Sequence, residues 1–212
     1  ALNLSLVPAT PVRAISTTVV ISQFQVAGGT AAEEFVELHN LSSSPVDLNG
    51  YNLVYRSAAG TTDVSLVSWS VSTVIPAGGY YLVAATPGYD GVVLADKTFA
   101  DGSSGKFSGT SGGLALRNGA VNTGTIIDSV GYGTATNAFV ETATTTVPAA
   151  NNSKERASSG CTDTDNNSAD YALLTPSAPR NSASSVNTCS VTSNLSVNDV
   201  TLPAEGNSGT SL

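Results

Sequence analysis

Charge is scarce in this sequence: Asp, Glu, Lys and Arg together make up 11% of its 212 residues. The eight basic residues are scattered singly and form no cationic stripe, while sixteen acidic residues bring the formal net charge to −8. Such a surface repels polyanions, which disfavours binding of nucleic acid or of an anionic membrane by this segment alone. A divalent cation or a neutral glycan suits the charge balance better.

Metal-binding residue types are nearly absent as well. One histidine, His39, and two cysteines, Cys161 and Cys189, with no CxxC spacing, exclude an ordinary zinc site, which gathers four such ligands. Two readings are open for the cysteines, a disulfide or a pair of free thiols. The disulfide is the better fit; it implies an oxidising compartment and stabilises by roughly 3 kcal/mol in the chain-entropy picture.

Long apolar runs are missing too. No stretch exceeds strand length, so no segment qualifies as a membrane-spanning helix, and membrane insertion is not expected. No window sustains an apolar period of 3.6 over three turns, which argues against a helical fold. The opening ALNLSLVPATPV reads as a trimmed or mature terminus.

What the chain does contain is short β-branched runs separated by Gly, Pro and Asn. They fall at 17–26, 33–40, 46–56, 64–71, 75–85, 91–99, 112–120 and 124–133. Asn-Gly pairs at Asn49–Gly50 and Asn118–Gly119 read as turns. With 41% hydrophobic residues to fill a core, this spacing predicts an all-β sandwich or barrel. From 151 to 187 the chain turns polar and Pro-spotted, with DYALLTP as its apolar anchor; this segment is expected along an edge of the sandwich. The stretch 192–212 restarts a strand pattern after a Ser/Asn/Thr linker.

The densest chemistry lies in GCTDTDNNSADY, residues 160–171. Asp163, Asp165, Asn167 and Asp170 place oxygens at spacings that converge on a hard cation such as calcium in helix–loop–helix calcium sites. The glycine at the sixth position and the bidentate glutamate at the twelfth are missing, however. The competing reading is turn chemistry, with Asp and Asn capping their own backbone. Lys154, Glu155 and Arg156 stand ready to pair with the aspartates, Arg156 with Asp170 or with Glu37. Tyr171 and Leu173 are expected to anchor the segment in the core.

Elsewhere Glu34, Glu37 and His39 raise the question of acid–base work. In EEFVELHN, alternation puts Val36 and Leu38 on one face and Phe35, Glu37 and His39 on the other, a pattern expected of a half-exposed strand. No second histidine and no Gly-x-Ser-x-Gly elbow accompanies them, so the chain is not read as an enzyme. Asp47 and Asp128 read as turn or strand-edge hydrogen bonders. The glycine clusters at 27–29, 101–105 and 108–113 lack a following helix or lysine and do not cradle phosphate. Trp69, Tyr80, Tyr81 and Phe99 read as packing residues; the alternative is an aromatic shelf for sugar. Five N-x-[ST] sequons, at Asn3, Asn40, Asn151, Asn166 and Asn194, carry little weight in a chain so rich in Asn, Ser and Thr.

Five motifs in order resemble a known family. EEFVELHNLSSSPVDLNGYNLV (33–54) is similar to the signature of the lamin tail domain: Glu34, Phe35, Val36, Glu37, Leu38 and Asn40, then Asp47, Leu48, Gly50 and Tyr51. IPAGGYYLVA, GGLALRNGAVNTGTIIDSVGYG and KERASSGCTDTDNNSADYALLTPSAPRN resemble its later strands, its hairpin and the closing segment of bacterial members. The resemblance spans about residues 17–182 and implies an immunoglobulin-like β-sandwich with a polar C-terminal extension. It also implies a structural role for Glu37, accepting hydrogen bonds from a loop or pairing an arginine. The tail LSVNDVTLPAEGNSGTSL resembles the opening of a Calx-beta domain, through Asp199, Glu205, Gly206, Asn207 and Gly209.

Bacterial members of the family are commonly secreted or surface modules, often beside nuclease or phosphoesterase domains. The filament role of animal members is not expected, because no heptad rod precedes the domain. The resulting expectation has three parts: an N-terminal segment at 1–13, a sandwich at 14–190, and a linker with an incomplete Calx-beta-like start at 191–212. The function expected is a non-catalytic, extracellular or cell-surface module that binds a protein or a cell-surface component. The alternative is an accessory domain of a secreted nuclease or phosphoesterase, with calcium as the only cofactor considered.

Overall fold

The computed structural model describes residues 15–101 and 105–189. The N-terminal segment 1–13, the Calx-beta-like stretch 191–212 and the sequons at Asn3 and Asn194 lie outside the described residues.

Alternation of apolar residues builds the first sheet. In β1 (Val19–Gln25), Ile21 and Phe24 point into the core, and a bulge near Ser22 resets the register between them. β1 pairs antiparallel with β2 (Phe35–Asn40), whose Val36 and Leu38 join the same core, as the alternation predicts. β2 in turn pairs with β7 (Tyr80–Thr86). A crossover then brings β8 (Lys97–Ala100) alongside β7 in parallel. The run read at 91–99 is therefore half crossover and half strand.

The second sheet faces the first. β4 (Tyr51–Ser57) lies between β5 (Val64–Ser68) and β9 (Gly112–Asn118), and β10 (Thr125–Tyr132) completes the order β10-β9-β4-β5. Leu53 and Tyr55 of β4 face the first sheet, while Val54 between them packs outward against Ala115 and Phe139. A two-residue ribbon of β3 (Val46–Asp47) and β6 (Val74–Ile75) closes one end. The turn from β3 into β4 runs through Gly50 at φ 85°, a left-handed conformation that glycine adopts without penalty. The result is the expected all-β, immunoglobulin-like sandwich.

The polar stretch after 151 departs from expectation. It contributes two strands, β11 (Ser153–Arg156) and β12 (Tyr171–Leu174), which extend the first sheet to the order β12-β11-β1-β2-β7-β8. Only β12 is an edge; β11 lies inside, paired to β1 and β12. Tyr171 is buried in the core as expected, but Leu173 is not an anchor: although it shares Tyr171's face, it is 56% exposed, because β12 is the edge strand of the sheet.

The outer face of the first sheet is also covered. Phe35, Leu82 and Ala84 form a small apolar cluster beneath Tyr89, Val93 and Ala95 of the crossover. Beside them, residues 177–187 run across the sheet as a strap, held to Gln23, Glu37 and Gly78. The expected half-exposed strand at β2 is consequently buried on both faces. The aromatic-shelf alternative fails for the same reason. Trp69 and Phe99 sit in the core, with Trp69 edge-on to Tyr81 at 5.9 Å. Asn40 is fully buried, donating to the carbonyls of Ser44, Ile75 and Pro76, so that sequon is a turn device.

Candidate functional site

The acidic loop folds around a cation already present in the chain. Arg156, at the end of β11, is completely buried. Its Nη2 lies 2.7 Å from Asp128 Oδ1 and 3.6 Å from Glu141 Oε2. Its Nη1 lies 3.1 Å from Asp163 Oδ1 and 3.0 Å from Asp170 Oδ2, and also donates to the Thr162 carbonyl. Nε donates to the Ile21 carbonyl, and the guanidinium stacks 4.7 Å above the Tyr171 ring. Asp128 comes from β10, Glu141 from the loop beyond it, and Asp163 and Asp170 from the acidic loop. One guanidinium thus ties four carboxyl groups from distant parts of the chain.

The electrostatics of this cluster follow from burial. Desolvation pushes the Asp128 carboxyl well above its usual range, against the pull of Arg156, with Glu141 and Asp163 adding repulsion. Burial works against the Arg156 charge, but Asp128 and the other acidic groups outweigh it and raise the guanidinium further. Asp128 is therefore more than a strand-edge hydrogen bonder: Oδ2 accepts the Ile21 N–H while Oδ1 meets Arg156.

Of the four residues read as calcium ligands, Asp163 and Asp170 are spent on Arg156. Asp170 also accepts Thr164 N–H and Oγ1–H, and Asp163 accepts Ser16 N–H. Asn167 Oδ1 accepts the N–H groups of Gly131 and Glu141, and its amide donates to Ser129 and Glu141. Asp165 occupies a left-handed turn position at φ 56° and donates its N–H toward Asp163. Asn166 caps the single helical turn Asn167–Asp170 by accepting Ser168 N–H. The carboxyls that do approach one another within 4.8 Å are those of Asp128, Glu141 and Asp163, with Arg156 bonded among them. Asp163 and Asn166 accept N–H groups two residues on, the turn chemistry of the second reading, while Asn167 and Asp170 bond other parts of the chain.

A second cluster pins the strap. Glu37, fully buried, receives Ser22 Oγ–H at 2.6 Å, Arg180 Nη2 at 2.8 Å and Arg180 N–H at 2.5 Å. Burial raises the Glu37 carboxyl, and Arg180 draws it back down. Arg180 also reaches Glu155 and the Tyr80 hydroxyl, and its guanidinium lies 4.1 Å above the Tyr80 ring. His39 also stacks on that ring, at 4.3 Å. The His39 ring nitrogens face the carbonyls of Gly160, at 3.2 Å, and Asn187, at 3.0 Å. Burial lowers the proton affinity of His39. Gly160 sits at φ 89°, and a Cβ there would meet Ser22 Cβ at 2.9 Å, so glycine is required for this approach. Cys161 and Cys189 form a disulfide beside it, with Cα atoms 5.6 Å apart. The sulfurs near His39 are thus bonded to each other.

Glu34 has a third structural task. Its carboxyl accepts Lys106 N–H at both oxygens and Phe107 N–H at 2.5 Å, fixing the loop before β9. Burial raises it to about 7 despite those bonds. Glu34, Glu37 and His39 are therefore each committed to a backbone or to Arg180, and among the described residues no hydroxyl or thiol nucleophile is bonded to His39. Asp47 keeps its predicted turn role, accepting Asn49 and Thr73 N–H.

Sequence reasoning placed Arg156 beside Asp170 but missed Arg180, which takes Glu37 in its place. It also missed a triad on the outer face of the second sheet, where Asp63 bridges Arg56 at 2.5 Å and Arg117 at 2.7 Å. Both of those guanidiniums lie over the Phe139 ring.

Comparison with known proteins yields one family. The model of the Lamin Tail Domain matches residues 13–134, more than half of the chain. The match ends at β10, so β11, β12 and the strap lie beyond it. No curated protein matches the chain.

Proposed function

The chain belongs to the lamin tail domain family, and from that premise we propose that it works as a non-catalytic binding and scaffolding module. In this reading it sits outside the cell or on the cell surface, within a larger bacterial protein, and contacts a protein or surface component. The observation that carries the reading is the commitment of Glu34, Glu37, His39, Asp163 and Asp170 to internal bonds, which leaves them no role in turnover. The disulfide supports the extracellular placement, since such bonds persist in oxidising compartments. Contact with a partner would use apolar side chains left in solvent, such as Val71, Val74, Val92 and Leu94.

Two measurements test this. Assays for nuclease and phosphodiesterase turnover with Mg²⁺, Mn²⁺ or Ca²⁺ should stay at background; turnover lost in Asp163→Ala would overturn the non-catalytic reading. Intact mass of protein recovered from its native host, alkylated before and after reduction, should show both cysteines protected. Free thiols in that material would remove the extracellular assignment.

A further inference from the structure

His39 stands beside both sulfurs of the disulfide. One of its ring nitrogens and the Sγ atoms of Cys161 and Cys189 all lie within 4.8 Å of one another. The fold gathers the three from separate places: β2, the turn after Gly160 and the stretch just past the strap. His39 is fully buried and both cysteines are half-buried, so the corner has a closed side and an open one.

The surroundings leave His39 imperfectly matched. Its ring nitrogens face two acceptors, the carbonyls of Gly160 at 3.2 Å and Asn187 at 3.0 Å. A neutral imidazole carries one N–H, so it satisfies one carbonyl and turns a lone pair toward the other. Two buried acceptors facing each other cost free energy, and a cation bound to the lone pair removes the mismatch. The Asn187 amide donates to Cys161 Sγ at 3.4 Å, a contact that would support a thiolate there. The nearby charge of Arg180 is already matched by Glu37 and Glu155.

An imidazole and two thiolates are zinc ligands by type, and sites with three protein ligands leave a fourth position to water. Ligands about 2.0–2.3 Å from a tetrahedral ion stand about 3.5–3.8 Å apart, so the sulfurs have only to part from bonding contact to that spacing. While the disulfide is closed, its sulfurs are occupied with each other. We propose that opening the Cys161–Cys189 bond turns this corner into a site for a thiophilic divalent cation of the zinc class, held by both thiolates and one nitrogen of His39. The electrons come from a low-molecular-weight thiol. Its thiolate attacks one sulfur, a second such thiol resolves the mixed disulfide, and the products are two protein thiols and one small disulfide. The cation then replaces the two thiol protons. Arg180 still ties the strap to Glu37 when the bond is open, so the fold keeps the ligands together.

The test compares the full 212-residue chain in its reduced and oxidised forms, without oxygen, with Zn²⁺ and cadmium-113 as probes. The reduced chain should bind one zinc ion with a dissociation constant on the order of 1 μM or tighter, and the oxidised chain at least about 100-fold more weakly. Zinc should protect both thiols of the reduced chain from alkylation. With nitrogen-15 in the histidine ring, bound cadmium-113 should show coupling to one nitrogen of His39 and a chemical shift set by two sulfurs. His39→Gln should weaken zinc about tenfold or more; the coupling is read on the parent chain, so it decides the matter even if that variant fails to fold. The proposal is overturned by equal zinc binding in the two forms, by a reduced chain that binds none, or by cadmium bound without coupling to His39. A reduced chain that has lost its native amide spectrum before metal is added would overturn it as well, since the fold would not be holding the ligands.

Discussion

Arg156 Nη2 sits 2.7 Å from Asp128 Oδ1, and neither side chain reaches solvent. The pair joins β11 of one sheet to β10 of the other, so it acts as an electrostatic rivet through the sandwich. Removing one partner of a buried pair leaves the other charge uncompensated, which costs about 3–5 kcal/mol. Arg156→Met keeps the length of the stem but strands Asp128, Glu141, Asp163 and Asp170. Urea unfolding of this variant should show a loss of that order. The loss should deepen as pH rises: Asp128 already holds its proton more tightly folded than unfolded, and without the guanidinium that difference widens. A variant within 1 kcal/mol of the parent at neutral pH would disprove the rivet.

The strap depends on Arg180 and the disulfide acting at different points. Arg180→Ala removes the cation bound to fully buried Glu37 and should cost about 2–3 kcal/mol. Amide exchange should quicken from 177 to 187 and stay slow in β2. Replacing both cysteines with serine opens a 28-residue loop and should cost at most about 3.5 kcal/mol. In that variant Arg180 still holds the middle of the strap, so protection should be lost first near Asn187. Loss of strap protection in neither variant would mean that other contacts hold it.

Which parts of this were readable beforehand turns on the range over which residues cooperate. The two faces of β2 could be read because Val36 and Leu38 alternate with Phe35, Glu37 and His39 over a few positions. β11 could not, because Lys154, Glu155 and Arg156 are three charged residues in a row, and no local rule makes such a run an inner strand. What makes it one is Asp128 and Glu141, which the fold delivers from other elements. A usable signal did exist. The chain has only five arginines, and each of the four described, Arg56, Arg117, Arg156 and Arg180, meets a buried acid. Where cations are this rare, a single arginine near a strand pattern is a candidate buried partner.

Glu34 makes stability depend on pH in a direction that can be checked. Its folded carboxyl titrates at about 7, against 4.5 as its ordinary value. Between those two values the folded state holds a proton that the unfolded state has released. Stability contributed by this group is therefore present below about pH 4.5 and is lost as pH rises to about 7, with no further change above. Glu34→Gln removes the titration. The difference in unfolding free energy between the parent and Glu34→Gln should fall steadily from pH 5 to 7 and then level off. A difference that stays constant across that range would show that the two N–H donors, from Lys106 and Phe107, hold Glu34 ionised throughout.

The acidic loop separates turn chemistry from calcium binding through two single substitutions. Asp170 bonds Arg156 at 3.0 Å and Thr164 at 2.6 Å, so Asp170→Asn removes charge from the rivet and should cost about 2–4 kcal/mol. Asp165 occupies a left-handed turn that asparagine also adopts readily, so Asp165→Asn should stay within about 0.5 kcal/mol of the parent. Neither effect should respond to calcium, because a divalent ion at Asp163 and Asp170 would have to displace a bonded guanidinium. Melting curves after chelation and at millimolar calcium should therefore coincide for the parent and both variants. A calcium-dependent rise in melting temperature that disappears in both Asp165→Asn and Asp170→Asn would reverse the assignment and make the loop a cation site.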